Sequence, residues 1–414
     1  MKINKIHTSS YWLLSLGLLL VFQQSMSQDL NSYIEQATVN NADLRAYELR
    51  YEIAQEKVNE SNTLPDTDFN VGYFVRTPET RVGAQRARFS VKQMLPWFGT
   101  LTARSDYQHA IADANYMDYL IAKRKLGLEV AQNYYSLYAT QAQMLVVEQN
   151  IQLLKSYEEL ALNAVSIDKA SAVDVLKLQI RQNDLKAQQA VLDEELNAAK
   201  IQFNAVLNTD DDAPVLIADS LVIPLHDVEV AWSTLDQNPE LLRYDKLYES
   251  ITQAETLNQR EAAPKLGVGL DYLPVSERAD MNILDNGKDI VMPMVSLSVP
   301  IFNTKYKSVS KQNMLKHEEL QAQRNQRLNR LKSLFAEAVK NKNTARINYD
   351  AQSKSLEQAK DAEDILLRSY ETGTIDFNDV LDIQEMQLTI QINQIQAVQI
   401  YYEQAALINY LTNL

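Results

Sequence analysis

Cysteine is absent from the 414-residue chain, and glycine and proline are scarce, at 9 and 10 residues. Without cysteine the protein forms no disulfide bond and carries no lipidated N-terminal cysteine. Because glycine and proline interrupt regular elements, their scarcity is unusual for several ordinary globular domains and typical of a few very long helices. Ala, Gln, Leu, Glu, Lys and Asn dominate the middle and the end of the sequence, and most of these residue types favour helices.

The residue patterns of catalytic sites are also missing. Of the four histidines, His7 lies close to the N-terminus, whereas His109, His226 and His317 are far apart and have no metal-ligand spacing. The sequence contains no nucleophile elbow, no phosphate-binding P-loop and no dinucleotide-binding fingerprint. We therefore predict a protein that is not an enzyme and that uses no cofactor and no bound metal.

Only one long hydrophobic run is present, and it lies at the N-terminus. Lys2 and Lys5 precede the apolar segment Leu13–Phe22, and the small residues Ser25 and Ser27 follow it. This arrangement predicts a secretory signal peptide over residues 1–27, with a membrane anchor as the alternative. Cleavage of this signal peptide would remove both lysines and change the net charge from −14 to −16. Such an acidic chain is a poor candidate for nucleic-acid binding and fits an acidic surface or a cation-attracting interior.

Two halves of the chain share residues in the same order. Three segments recur at offsets of 197, 204 and 205 residues: Asn41–Glu52 as Asn238–Glu249, Met94–Thr100 as Ser298–Thr304, and Ala172–Leu185 as Phe377–Ile390. In the third segment, Gln179 and Gln182 coincide with Gln384 and Gln387. We interpret the chain as two tandem copies of one structural unit.

The copies are predicted to span residues 28–208 and 228–414, with residues 209–227 as an acidic, proline-bearing linker. In each copy, two stretches alternate between apolar and polar residues, which predicts strands. The predicted strands cover about residues 66–77, 86–96, 264–274 and 290–302. Their polar face has small and charged groups, as the interior of a water-filled β-barrel would. A half-buried sheet of a soluble protein shows the same alternation, so the pattern alone does not distinguish the two.

Long helices surround the predicted strands. One helix is expected before each strand pair, at Leu30–Asn62 and Val228–Ala262. A helical hairpin is expected after each pair, at about residues 98–208 and 304–413, because these stretches are almost free of glycine and proline. At about 1.5 Å per residue, the first helix of each hairpin reaches roughly 100 Å. Apolar residues are sparse, which suits a thin-walled, coiled-coil-like assembly with one narrow seam.

These features together resemble the TolC family of outer-membrane efflux proteins, the outer membrane factors. The shared features are the signal peptide, the duplication, four strands, two long hairpins, a Pro-aromatic-Phe-Gly junction at Pro96–Gly99 and a Gly-x5-Asp-Val-Leu-Asp turn at Gly373–Asp382. The resemblance covers essentially the whole mature chain. It implies a mixed α+β, mainly α fold in a homotrimer, with a 12-stranded transmembrane β-barrel made from four strands per chain. In this family a long periplasmic α-helical barrel continues the β-barrel.

The resemblance further implies a protein of the Gram-negative outer membrane with a large periplasmic portion. Its function would be the exit channel of a tripartite efflux system, which exports substrates passively when docked to a periplasmic adaptor (membrane fusion) protein and an inner-membrane RND-type pump. Two alternatives remain, an exit duct for type I protein secretion and a periplasmic coiled-coil scaffold without a channel. A trimer in contact with outer-membrane lipid is physically required if the strands span the membrane, because four strands cannot close a barrel and lipid does not tolerate open sheet edges.

The resemblance also assigns roles to residues of the second hairpin. Asp379 and Asp382 match inward-facing aspartates at the closed periplasmic entrance, where three copies would form two carboxylate rings that bind cations. Asp174 matches the aspartate of the first hairpin, and Tyr370 matches a tyrosine that links neighbouring helices. Well-studied members carry an arginine where this chain has Ile375, so their latch is absent or rebuilt here. Helix capping is the alternative role for Asp174 and Asp379.

Aromatic and proline residues mark the predicted junctions between strand and helix. The residues are Pro96, Trp97, Phe98, Gly99, Pro300 and Phe302. In the family they would lie at the aromatic belt of the membrane, although packing at a bend explains them equally well. Met281, Met292 and Met294 extend the resemblance to the heavy-metal branch, the Cus/Czc-like channels, because thioethers suit soft cations. Gap-filling packing is the alternative for these methionines.

Overall fold

The computed structural model describes residues 29–167, 171–227, 232–280 and 283–412. The predicted signal peptide lies outside this range. The helices are α1 (Asp29–Asn40), α2 (Ala42–Ser61), α3 (Thr100–Ser166), α4 (Ala172–Leu207), α5 (Pro239–Glu261), α6 (Lys305–Glu371) and α7 (Phe377–Thr412), with a short 3-10 helix at Trp232–Gln237. The strands are β1 (Thr67–Tyr73), β2 (Glu79–Thr80), β3 (Gly83–Gln85), β4 (Ala87–Leu95), β5 (Lys265–Leu273), β6 (Val275–Ser276) and β7 (Ile290–Ser298). The mixed, mainly α fold class is therefore confirmed. Among the described helices, none combines the length and apolar character needed to span a membrane.

The chain divides into two compact units. The sheet unit comprises Ala46–Leu120 and Pro239–Leu328, and therefore contains the seven strands that the structure describes. The helical unit comprises the described residues within Met1–Arg45, Ile121–Asn238 and Asn329–Leu414, and contains both hairpin turns.

The main sheet of the sheet unit is antiparallel, with the strand order β1-β4-β5-β7. Its four strands lie within the ranges that the alternation predicts. The register aligns apolar residues in rows across all four strands, for example Phe69 with Val91, Leu270 and Pro293. The neighbouring row on the opposite face aligns Asn70 with Ser90, Asp271 and Met292. The period of two thus produces one apolar and one polar face.

A second, small sheet joins the loops at one end of the main sheet. Its order is β2-β3-β6, and its strands are two or three residues long. Gly83 has φ +132°, and a Cβ at this position would lie 1.8 Å from the carbonyl oxygen of Ser276. Only glycine permits this approach. This sheet could not be predicted from the sequence, because such short strands show no alternation of apolar and polar residues.

The helix predicted at Leu30–Asn62 is interrupted, which corrects that expectation. Asn41 separates α1 from α2, and its side-chain oxygen accepts the Leu44 N–H at 2.9 Å, as an N-cap does. Asn238, at the matching position of the second copy, precedes Pro239, the first residue of α5. Its buried amide donates to the Leu411 carbonyl at 2.9 Å. Both halves of the chain therefore begin a new helix directly after an asparagine.

The two hairpins have the same dimensions. Helices α3 and α6 have 67 residues each, and the returning helices α4 and α7 have 36 residues each, all at an offset of 205. Near the turns, the four helices share one apolar cluster, which includes Leu154, Leu178, Phe377 and Val380. This narrow core agrees with the sparse apolar residues of the sequence.

Tyrosines of the helical unit hold the linker in place. The backbone N–H groups of Leu216, Ala218 and Leu221 donate to the hydroxyls of Tyr33 (2.7 Å), Tyr134 (3.0 Å) and Tyr138 (2.9 Å). At the end of the linker, Asp227 accepts a hydrogen bond from Tyr401 and pairs with Lys342 and Arg346. Residues 209–227 are therefore tied to the helices along their length.

Candidate functional site

Each hairpin contains a glutamate held by two glutamines of the returning helix. In the first, Glu158 accepts hydrogen bonds from Gln179 and Gln182, both at 2.7 Å. These two bonds lower the pKa of Glu158. The carboxylate–amide clamp joins α3 to α4 near the turn.

The second hairpin repeats this clamp at an offset of 205. Glu363 accepts from Gln384 and, at 2.8 Å, from Gln387. In both hairpins the second glutamine also donates to a backbone carbonyl of the long helix, Leu154 at 3.3 Å and Ala359 at 3.0 Å. The glutamines that coincide in the sequence thus have one structural role, which supports the interpretation of the chain as a duplication.

A tyrosine of the first hairpin reaches the clamp of the second. The hydroxyl of Tyr157 donates to Glu363, and Gln384 donates to the same hydroxyl at 3.4 Å. Burial and the hydrogen bond to Glu363 raise the pKa of Tyr157. The matching position in the second copy is Ala362, so this link exists in one direction only. The sequence reading missed it because the two partners are 206 residues apart.

Polar contacts also join the two returning helices. The Lys177 ammonium donates to the side-chain oxygen of Asn378 at 2.6 Å, and Arg181 pairs with Glu385 at 3.4 Å. With the Tyr157–Glu363 contact, they connect the two hairpin ends within one chain.

Asp379 and Asp382 lie on the surface of α7, in its first two turns. Both side chains are exposed, and neither forms a hydrogen bond or ion pair with another residue in the part of the chain that the structure describes. Their spacing of three residues brings both to the same side of the helix. Two uncompensated carboxylates therefore lie side by side near the hairpin turn. Their position at the pore stays a prediction.

Asp174 forms the capping box of α4. Its carboxylate accepts the Ser171 N–H at 3.4 Å, while the Ser171 hydroxyl accepts the Val173 N–H at 3.2 Å. Tyr370 packs edge-on against Phe377, with 4.8 Å between the ring centres. Its hydroxyl has no hydrogen-bond partner among the described residues, and burial together with the charge of Asp174 raises its pKa. A gate role for either residue stays a prediction. Ile375 is half-buried in the turn between Tyr370 and Asp379.

The junctions between strand and helix are built differently in the two halves of the chain. After Pro96, the rings of Trp97 and Phe98 meet edge to face at 5.8 Å, and Gly99 adopts φ +78° before α3 begins. After Pro300, the side chain of Asn303 caps α6 by accepting the Lys305 N–H at 2.8 Å. Phe98 is 79% exposed and Phe302 98% exposed. Large apolar rings are therefore presented to the surroundings at both junctions.

The main sheet presents one continuous apolar face that no residue described by the structure covers. Its exposed side chains come from all four strands: Phe69, Val71, Tyr73, Phe89, Val91, Val268, Leu270, Tyr272, Val291, Val295 and Leu297. On the opposite face, Asp271 is buried and pairs with Arg88. Met292 and Met294 lie on this polar face by register, and Met281 lies outside the described residues. Among the described residues, no group of His, Cys, Asp or Glu is placed to hold a metal ion.

The fold is that of solved bacterial outer-membrane channels. CusC matches with a TM-score of 0.74 at 14% identity, covering 93% of this chain and 92% of that one. The CmeC outer-membrane channel of Campylobacter jejuni gives 0.72 at 14% identity, covering 100% and 89%. The open-state MtrE outer-membrane channel of Neisseria gonorrhoeae gives 0.72 at 16% identity, covering 92% and 88%. No protein-family model and no curated protein matches the sequence. The predicted resemblance to the TolC family is thus confirmed for the fold.

Proposed function

We propose that the protein is an outer-membrane exit channel and not an enzyme. The observation that carries this proposal is the apolar face of the main sheet, because an exposed face of this extent marks contact with a membrane or a partner. The opposite face is polar, as the lumen of a membrane barrel is. A periplasmic scaffold would need neither an uncovered apolar sheet nor this alternation. The channel therefore explains more of the structure than the scaffold does.

The channel acts as a homotrimer. Strands β1 and β7 are the outer strands of the described sheet, and each has a neighbour on one side only. In lipid, unpaired backbone groups at these edges would each cost several kcal/mol, so the sheet must close with other copies. Pairing β7 of one chain with β1 of the next completes a ring. The outer-membrane location and the contact with lipid follow from this closed barrel.

The partners are a periplasmic adaptor and an inner-membrane pump of the RND type. Apolar side chains at the end of the first hairpin support docking there, since Val173, Leu176 and Ile180 are exposed at more than half of their surface. On the second hairpin, Ile365 and Met386 are similarly exposed. A type I protein exporter would dock at the same hairpin ends. Identifying the partner therefore distinguishes an efflux channel from an exit duct for protein secretion.

The entrance of the channel lies at the hairpin ends, where Asp379 and Asp382 form two carboxylate rings in the trimer. Their exposure and lack of partners within the chain support this placement. Six uncompensated carboxylates around a narrow aperture attract cations and repel one another.

Cell fractionation followed by a gel of heated and unheated samples tests the proposal. We expect the protein in the outer-membrane fraction, with an unheated band at the mobility of a trimer and a heated band at that of a single chain. A periplasmic monomer would contradict both the channel and the trimer.

A further inference from the structure

The start of α6 carries a group of lysines that differs from its surroundings. Lys305, Lys307, Lys311 and Lys316, here the lysine cluster, fall in a stretch with no Asp or Glu from Ile290 to His317, although the net charge of the chain is −14. All four side chains are exposed, and none forms an ion pair with another described residue. The ammonium of Lys305 lies 5.7 Å from the centre of the Tyr306 ring. The cluster is therefore an uncompensated positive surface.

The lysine cluster lies shortly after the last strand of the main sheet. Lys305 follows the end of β7 by seven residues, and the lysine cluster extends along about 16 Å of helix. Between β7 and the cluster, Ile301 and Phe302 are 74% and 98% exposed. Exposed aromatic and aliphatic side chains followed by basic residues are typical of the boundary between hydrocarbon and water.

The first copy offers a comparison within the same chain. At an offset of 205, the four lysines correspond to Thr100, Thr102, Asp106 and Ile111, none of them basic. Arg104 lies nearby, but it pairs with Glu261 at 3.0 Å. The start of α3 therefore lacks this positive surface. Of the two long helices that follow the strands, α6 alone carries it.

We propose that the lysine cluster binds phosphate groups of anionic phospholipids in the periplasmic leaflet of the outer membrane. The inference rests on the proposed membrane-spanning function. Lysine ammonium groups attract anionic headgroups by about 1 kcal/mol each near a membrane surface. Charge complementarity and continuity with the apolar junction favour a lipid surface over a protein partner at this position.

Helix geometry divides the cluster into two pairs. Lys305 and Lys316 are three turns apart and share one side of α6, whereas Lys307 and Lys311 are one turn apart on the other side. Only one side of a helix in a barrel wall faces outward to lipid. One pair is therefore expected to supply most of the binding.

Native mass spectrometry tests the proposed lipid binding. The delipidated full-length trimer is titrated with phosphatidylglycerol or phosphatidylethanolamine. We expect the trimer to prefer phosphatidylglycerol. One of the double variants, Lys305→Gln with Lys316→Gln or Lys307→Gln with Lys311→Gln, should lose about tenfold or more of that affinity and keep its affinity for phosphatidylethanolamine. A matched control replaces Lys332, Lys340, Lys354 and Lys360 by Gln, which are exposed lysines farther along α6, and should behave as the wild type.

Equal binding of both lipids by the wild type, or unchanged affinity in both double variants, would overturn the inference. Flotation of each variant with phosphatidylethanolamine vesicles reports membrane insertion separately. Protein that floats without a preference for phosphatidylglycerol contradicts only the lipid site, whereas protein that does not float contradicts the proposed function itself.

Discussion

Three aspartates near the hairpin turns have different surroundings. Asp174 is used in the capping box of α4, so its carboxylate already has a structural role. Asp379 lies in the first turn of α7, where the helix dipole favours a negative charge. Asp382 lies one turn further, beyond the groups that a cap satisfies, and it is exposed. At the residue scale, Asp382 therefore distinguishes a pore role from a capping role most clearly.

The double substitution Asp379→Asn with Asp382→Asn is expected to weaken block of the channel by multivalent cations in planar bilayers, because it removes both proposed carboxylate rings. Asp382→Asn alone should give a large share of this effect with little change in stability. The matched control is Asp211→Asn with Asp212→Asn, which removes two exposed charges from the linker. If multivalent cations block the Asp379/Asp382 variant as strongly as the wild type, neither residue lies at the pore.

Tyr157→Phe is expected to cost about 1 kcal/mol by removing one hydrogen bond to Glu363 while the ring stays packed against Phe377. The loss should appear as faster amide hydrogen exchange at the ends of both hairpins, because this hydroxyl joins them. Tyr116→Phe is a suitable control, since that hydroxyl makes no hydrogen bond to described residues. Equal exchange in the wild type and Tyr157→Phe would show that the link does not stabilise the hairpin ends.

The elements of the fold could largely be predicted from the sequence, because strands and helices leave local signals. Alternation located the four long strands, and scarce glycine and proline located the hairpins. The sequence also has a Ser-x-x-Asp capping pattern at Ser171, which identifies the role that Asp174 has in the structure. By contrast, Glu363 has contacts both with α7 and with Tyr157, which is 206 residues away, and no local pattern predicts such a pairing.

The main sheet provides a test within one strand. Val295 lies on the apolar face of β7 and is 79% exposed, while the adjacent Met294 lies on the polar face. Val295→Arg should destabilise the proposed membrane barrel by about 2–4 kcal/mol, because in that barrel it would place a charge in lipid. Met294→Arg should be tolerated in a water-filled lumen. The amount of trimer in outer-membrane fractions measures both, and equal losses would contradict the assignment of the two faces.

The linker gives a pH-dependent prediction. Burial opposes ionisation of Asp227, but bonds from Tyr401, Lys342 and Arg346 outweigh it, so the pKa of Asp227 is lowered. A lowered pKa means that the contact stabilises the folded chain above the unfolded pKa of about 3.9 and is lost as the pH falls through the folded value. Asp227→Asn should therefore speed hydrogen exchange in the linker at pH 7, and this difference should shrink below about pH 4.

Asp219→Asn is the control for this experiment, because Asp219 is an exposed linker residue with no described partner. If Asp227→Asn and Asp219→Asn have the same effect at neutral pH, the cluster around Asp227 does not hold the linker.

At the scale of the whole molecule, a single chain does not complete the proposed channel. Its sheet has an apolar face with no cover and two outer strands with no second neighbour among the described residues. The proposed channel accounts for both features through lipid and further copies of the chain, since four strands cannot close a barrel. The long hairpins, which have only a narrow apolar seam, likewise suit a wall shared by several chains.

Single-channel recording tests the central claim most directly. Purified wild-type trimer is added to a planar bilayer, and its insertion is verified independently by flotation with vesicles of the same lipid. We predict discrete conductance steps of uniform size, reduced by multivalent cations. Trimer that floats with vesicles but gives no conductance steps would contradict the account of this protein as a channel.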